Sequence, residues 1–204
     1  MKKISRILLA ILCMASISLS WETKAQTSPV RHLTYKGIPI TGSVGHFHNE
    51  LERKGFTAVK DDKDAVAYHK GIFASYRVKV TTLFTPLSST IYGTYTYLDE
   101  HSLWKEIQTD FDTFKYHLTE VYGKPSFLKE EFQGPYIKGD GYSMKALSEG
   151  KVNFRGEWNL DNGTIRISVI QTNQGLGCLL IEYMDKENLA LKEKELTTII
   201  RNDL

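Results

Sequence analysis

Few side chains in this sequence stand at the spacings that bond-making chemistry requires. His46-x-His48 is the pair most like a metal site. On a helix, residues two apart point about 200° apart, so both imidazoles cannot reach one ion. No cysteine or third histidine is near them in sequence, and they are expected to be surface residues at a helix start. Asp61, Asp62 and Asp64 resemble a calcium loop, but the glycine and the distant glutamate of such a loop are missing, which leaves a solvated turn. Asp110 and Asp112 are likewise two apart on a helical pattern. No glycine-serine elbow is present, and Cys178 falls inside a strand pattern, where a thiol packs as a small apolar group. Gly175-Leu176-Gly177 lacks the following helix that a phosphate cradle needs. No metal ligand, cofactor or catalytic residue is therefore expected, and the chain reads as non-enzymatic.

What remains is surfaces. Arg77, Lys79, Arg155, Glu157 and Arg166 fall on alternate positions of strand patterns, opposite the apolar ones. They are expected to project from a wet sheet face, which is a shallow platform for a partner. Phe132, Tyr136 and Tyr142 lie among Gly134, Pro135, Gly139 and Gly141. Aromatics on such a loop either anchor a protein or a sugar ring, or tuck under the loop and close the core. Tyr92, Tyr95 and Tyr97, taken with Tyr136 and Tyr142, prompt a second reading as a carbohydrate-binding or hydrolytic envelope protein. Hydrolysis of that kind needs two carboxylates about 5 to 10 Å apart across a cleft.

The elements that must carry these residues follow from periodicity. Leu103, Ile107, Phe111, Phe114, Leu118 and Val121 recur every three or four residues, which predicts one helix stripe, with Ser102 as cap and Gly123 and Pro125 as stop. A shorter helix carries Val44, Phe47 and Leu51 and stops at Gly55. Strict alternation from Lys151 to Leu160, the turn Asp161-Asn162-Gly163 with its capacity for positive φ, and alternation again through Ile165, Ile167 and Val169 predict a β-hairpin over residues 151–171. Tyr76 to Phe84 and Thr90 to Leu98 predict two further strands, Leu179 to Tyr183 another, and residues 186–201 a terminal helix.

Three short matches recur in the same order. Phe47 and Leu51 ahead of Gly55 are matched by Phe114 and Leu118 ahead of Gly123, at an offset of 67. Lys70-Gly71-Ile72-Phe73 is echoed by Arg155-Gly156-Glu157-Trp158 at 85, and Tyr97-Leu98-Asp99 by Tyr183-Met184-Asp185 at 86. This collinearity predicts an α+β fold: a tandem repeat of a helix plus an antiparallel four-stranded sheet, helices packed on one sheet face. The first repeat spans 30–100. The second spans 101–204, with an insertion at 125–150 and the C-terminal helix. The layout resembles that of the tandem beta-lactamase inhibitory proteins and related small exported modules, and Gly37-Ile38-Pro39 and Val121-Tyr122-Gly123-Lys124-Pro125 are similar in style to uncharacterised exported proteins of Gram-negative bacteria. That resemblance implies an open sheet face gripping a protein partner and implies no catalytic residue. The paired cysteines of those inhibitors are missing, so inhibition of a beta-lactamase is not implied.

The N-terminus matches an export signal. Lys2, Lys3 and Arg6 precede an uncharged apolar run from Ile7 to Leu19, 13 residues, where a bilayer span needs about 20. Thr23-Lys24-Ala25 puts small residues at the cleavage positions, so residues 1–25 are expected to be removed after Ala25. Cys13 follows bulky Leu12, which disfavours lipid attachment. The remaining 179 residues carry 22 basic and 23 acidic side chains, so the precursor's basic bias belongs to its signal and no nucleic-acid partner is expected. The expected product is a periplasmic or extracellular protein without a stable transmembrane span, taking a protein partner or a glycan through the sheet face or the 125–150 loop.

Overall fold

The alternating segments pair into one sheet, not two. The computed structural model describes residues 31–61, 65–172 and 175–204. The expected signal at 1–25, Cys13, Asp62 and Asp64 lie outside the described residues. In chain order, a small hairpin of β1 (Thr34–Tyr35) and β2 (Ile38–Pro39) leads to α1 (Val44–Arg53), and then β3 (Thr57–Lys60), β4 (Val66–Phe73), β5 (Tyr76–Phe84) and β6 (Ile91–Leu98). After α2 (Trp104–Tyr122) come β7 (Phe127–Phe132), α3 (Ser143–Ser148), β8 (Val152–Leu160), β9 (Gly163–Gln171), β10 (Gly177–Asp185) and α4 (Lys186–Asp203).

The strand order β3-β4-β5-β6-β10-β9-β8-β7 makes a single eight-stranded antiparallel sheet. This overturns the expected tandem of helix-plus-four-strand repeats. β6 and β10 exchange ladder hydrogen bonds over Leu180↔Tyr97 to Met184↔Gly93. One apolar cluster, not two, runs beneath the sheet from Phe47 and Val80 through Ile107 and Phe111 to Trp158 and Ile181. The short collinear matches reported local strand and helix chemistry, which does not specify where a sheet ends.

The 125–150 segment also departs from expectation. It is not a loop insertion, because it contributes the edge strand β7, paired from Phe127↔Glu157 to Phe132↔Val152, and the helix α3. Both sheet edges are blunted against pairing with other chains, β3 by its four-residue length and β7 by the run Lys129-Glu130-Glu131.

Local chemistry explains the elements. Ser43 caps α1 by accepting from the His46 N–H, and Phe47 and Leu51 form its buried stripe. In α2 the buried positions are Ile107, Asp110, Phe111, Phe114 and Leu118; Leu103 and Val121, expected on the stripe, lie at its ends and face water. Leu103 is the N-cap residue instead of Ser102, and no side chain bonds there, while Gly123 ends the helix at φ 82°. The predicted hairpin forms as β8 and β9, but Asn162 and Gly163 do not use positive φ. Gly163 is needed for close approach, since a Cβ there would stand 2.3 Å from the Met184 carbonyl oxygen. A bulge between Leu83 and Phe84 shifts the register of β5, and Phe84, in phase with the buried Val78 and Val80, is exposed.

Aromatic rings join the first and second halves of the core. Tyr35 stacks on Phe73 at 5.1 Å and meets Tyr183 edge-on at 5.5 Å, and Phe73 lies parallel to Phe114 of α2 at 6.2 Å. The Tyr35 hydroxyl accepts from Thr96 Oγ1 at 3.2 Å. Asp185, fully buried, caps α4 by accepting from the Asn188 N–H, and it also accepts from the Leu33 N–H and faces His32 Nδ1 at 3.1 Å. Glu195 of α4 accepts from the Leu87 and Ser88 N–H groups and from Ser88 Oγ, which pins the β5–β6 connection. No helix among the described residues is long and apolar enough to cross a membrane.

The β4–β5 turn is the least favourable joint. Ala74 at φ 48° and Ser75 at φ 71° both occupy the left-handed region between the paired Phe73 and Tyr76. Such a turn suits Asn-Gly, and L-residues there cost about 1 kcal/mol each. The double substitution Ala74→Asn with Ser75→Gly is expected to raise stability by about 1 kcal/mol or more, measured as a higher urea midpoint with unchanged slope.

Candidate functional site

Register assigns each strand residue to a face, because residues paired across neighbouring strands project on the same side. Val78, Val80, Thr96, Leu98, Ile181, Ile165, Ile167, Phe154 and Trp158 share the buried face, beneath α1, α2, α3 and the β1–β2 hairpin. The helices were all expected on that side. α4 differs, packing against β6, β9 and β10 and forming, through Leu189, Ala190 and Glu193, a groove of about 440 Å³ with Asn159, Thr164 and Met184 of the other face.

Beyond α4 the second face carries exposed and half-exposed side chains, with Glu182 and Cys178 buried among them. Two cross-strand rows run along it. The row nearer α4 reads Thr81, Tyr95, Glu182, Arg166, Glu157, Phe127 from β5 to β7. The next reads Lys70, Lys79, Tyr97, Leu180, Ser168, Arg155, Lys129 from β4 to β7.

The predicted face residues all lie on this side, and the structure brings three of them into contact. Glu157 Oε2 accepts from Arg155 Nη2 at 2.6 Å and from Arg166 Nε at 3.0 Å, and Arg166 Nη1 donates to Glu182 Oε2 at 3.2 Å. The Arg155 guanidinium, with Arg166 beside it, holds the Glu157 carboxyl below the usual range. Arg155 also lies over the Phe127 ring at 5.5 Å. Arg77 is apart from this network, paired with Asp99 at 3.2 Å in an exposed contact of little worth. Lys79 and Lys70 stand directly opposite one another, and neither has an ion-pair partner among the described residues.

The predicted aromatic loop divides. Phe132 packs edge-on to Trp104 at 5.1 Å and to Phe154 at 5.6 Å, and Tyr136 is buried with its hydroxyl donating to Glu149 at 2.7 Å. Only Tyr142 is exposed. Of the three, Phe132 packs against the core and Tyr136 is buried beside Glu149. Tyr95 and Tyr97 meet edge-on at 6.4 Å on the open face, away from Tyr136 and Tyr142, so the five tyrosines do not form one platform.

Two histidine arrangements lay beyond sequence reading. His101 Nε2 lies 2.9 Å from Asp110 Oδ2 and its Nδ1 lies 3.4 Å from Glu106, while burial raises the Asp110 carboxyl. The thiol of Cys178, next to the Gly177 that pairs with His101, is buried and pushed up to about 12 by that burial, so it stays protonated at neutral pH.

The second arrangement joins His48 of α1 to His69 of β4, with ring centroids 4.7 Å apart. His48 Nε2 lies 2.8 Å from Thr82 Oγ1, whereas both ring nitrogens of fully buried His69 lack a hydrogen-bond partner among the described residues. No group of three metal-binding side chains occurs among the described residues. Sequence analysis placed His46 and His48 on the surface; His48 is half-buried because α1 leans it over the β4–β5 pair.

Comparison with protein-family models, curated proteins and solved structures gives no match.

The histidine pair makes folding sensitive to acid. Burial lowers both imidazole pKa values, and the charge of His48 lowers that of His69 further, against a smaller opposing pull from Glu52. Below about pH 6.5 the unfolded chain therefore binds protons that the folded chain refuses, so stability is full above that pH and declines beneath it. His69→Leu removes the unpaired buried nitrogens, and is expected to add about 1 to 2 kcal/mol at pH 5.5 and to flatten the decline from pH 7.5. Thermal melts of both proteins at the two pH values check this, and equal declines would exclude the histidine pair as its source.

Proposed function

We propose that the chain is an exported, non-enzymatic interaction module that binds a protein partner through the uncovered sheet face. The observation that carries this reading is the finish of that face. Its central side chains, Thr81, Tyr97, Leu180, Ser168 and Arg155, are half-exposed and mix aliphatic, tyrosyl and guanidinium groups at fixed strand spacing. Arg155 and Arg166 are held in place by Glu157 and Glu182, so little side-chain entropy remains to be lost when a partner docks.

The dimensions suit a modest interface. From β4 to β8 is five strand spacings, about 24 Å, and eight residues of strand add about 26 Å in the other direction. The resulting patch of about 600 Å² is near one side of a transient complex. The 125–150 segment supports this face from behind through Phe132 and reaches its edge only through Phe127 and Lys129 of β7.

A photo-activated benzoylphenylalanine placed at Thr81 or Leu180 on the open face, or at exposed Tyr116 of α2, separates the faces in living cells. Discrete protein adducts are expected from the first two positions and none from Tyr116. Adducts confined to Tyr116, or none at any position, would end the sheet-face reading.

A further inference from the structure

Charge on the open face is sorted by row, and the sorting identifies what the face fits. In the row nearer α4, acids and bases alternate and neutralise one another: Glu182, Arg166, Glu157. The neighbouring row holds four cations and no acid: Lys70, Lys79, Arg155 and Lys129, with Tyr97, Leu180 and Ser168 at its centre. Arg155 and Lys129 are partly answered from adjacent rows by Glu157 and Glu131. Lys70 and Lys79 have no acidic partner among the described residues, Lys70 lying only over the Tyr68 ring at 5.9 Å, although like charges directly opposite on paired strands are unfavourable to the sheet.

We propose that this row is the binding site for an acidic, extended protein segment lying across the strands, an inference that rests on the sheet-face reading and names its partner's chemistry. Carboxylates set between Lys70 and Lys79 relieve their mutual repulsion, while those at the far end meet Arg155 and Lys129. Between the two ends the segment crosses Tyr97, Leu180 and Ser168, which offer a ring edge, an aliphatic contact and a hydroxyl suited to a polypeptide. Tyr97 turns edge-on to Tyr95 rather than lying parallel to it, so the two rings do not form the flat double platform on which a sugar chain stacks. Lys70 and Arg155 are about 24 Å apart, which an extended chain at about 3.4 Å per residue covers in about seven residues.

Titration of the full-length protein by calorimetry with deca-glutamate, tetra-glutamate, deca-glutamine and sulfated dextran tests this. Deca-glutamate is expected to bind and to weaken with added salt. Tetra-glutamate, about 14 Å long when extended, is expected to bind at least tenfold more weakly, and deca-glutamine not at all. Lys70→Glu combined with Lys79→Glu should weaken deca-glutamate at least tenfold, the milder Lys70→Gln with Lys79→Gln should weaken it less, and Lys105→Glu on exposed α2 should change it less than twofold. Near-ultraviolet dichroism confirms that each variant is folded. Absence of deca-glutamate binding, equal binding by the glutamate variant, or binding of sulfated dextran alone overturns the acidic-segment assignment. Photo-adducts at Thr81 and Leu180 report the face whatever the partner's charge, so their persistence after such a result leaves the face in use and removes only the acidic partner.

Discussion

β6 and β10 lie side by side although α2, β7, α3, β8 and β9 separate them in the chain. Their ladder is the one long-range strand pairing at the centre of the sheet, and every other pair is a neighbour or near neighbour in sequence. Closing so large a loop costs chain entropy that contacts across the seam must offset. The aromatic contacts among Tyr35, Phe73, Phe114 and Tyr183, which bridge the same seam from the buried side, supply apolar burial where it is needed. The seam also sets the alignment of everything on the open face, because Tyr97↔Leu180 puts the β4–β5 lysines into line with Arg155 and Lys129. A slip of one residue there would send half of that row to the core.

Local order was legible in the sequence and long-range order was not. The stripe of Ile107, Phe111, Phe114 and Leu118, the alternation through β8 and β9, and the side of the sheet on which Arg77, Lys79, Arg155, Glu157 and Arg166 sit all follow from periods of 3.6 and two. The union of eight strands into one sheet depends on which edges meet, and no residue pattern marks β6 or β10 as central. β7 was missed for a related reason: with Phe127 and Leu128 exposed and Lys129-Glu130-Glu131 in sequence, an edge strand shows no alternation. The approach of His48 to His69 is invisible for the same cause, since a helix and a strand packing at one end of a sheet need share no sequence signal.

The two rows of the open face illustrate how a wet sheet face divides its work. Glu157 and Glu182 with Arg166 form a closed ionic set that also steadies Arg155 of the next row, and closed sets hold side chains still without attracting a particular ligand. An open set is the reverse. The opposed lysines on β4 and β5 weaken the sheet slightly and leave a field above it that solvent ions only partly screen. Closed and open charge thus lie on neighbouring lines of the same surface.

Cys178 sits in β10 just beyond the end of the central ladder, fully buried and held protonated. An alkylating reagent reaches its sulfur only when the groups packed around it give way, so the rate at which this thiol is capped is a clock for local opening beside the ladder. The molecule thereby carries, without any engineered label, a probe next to the joint whose integrity its two halves share.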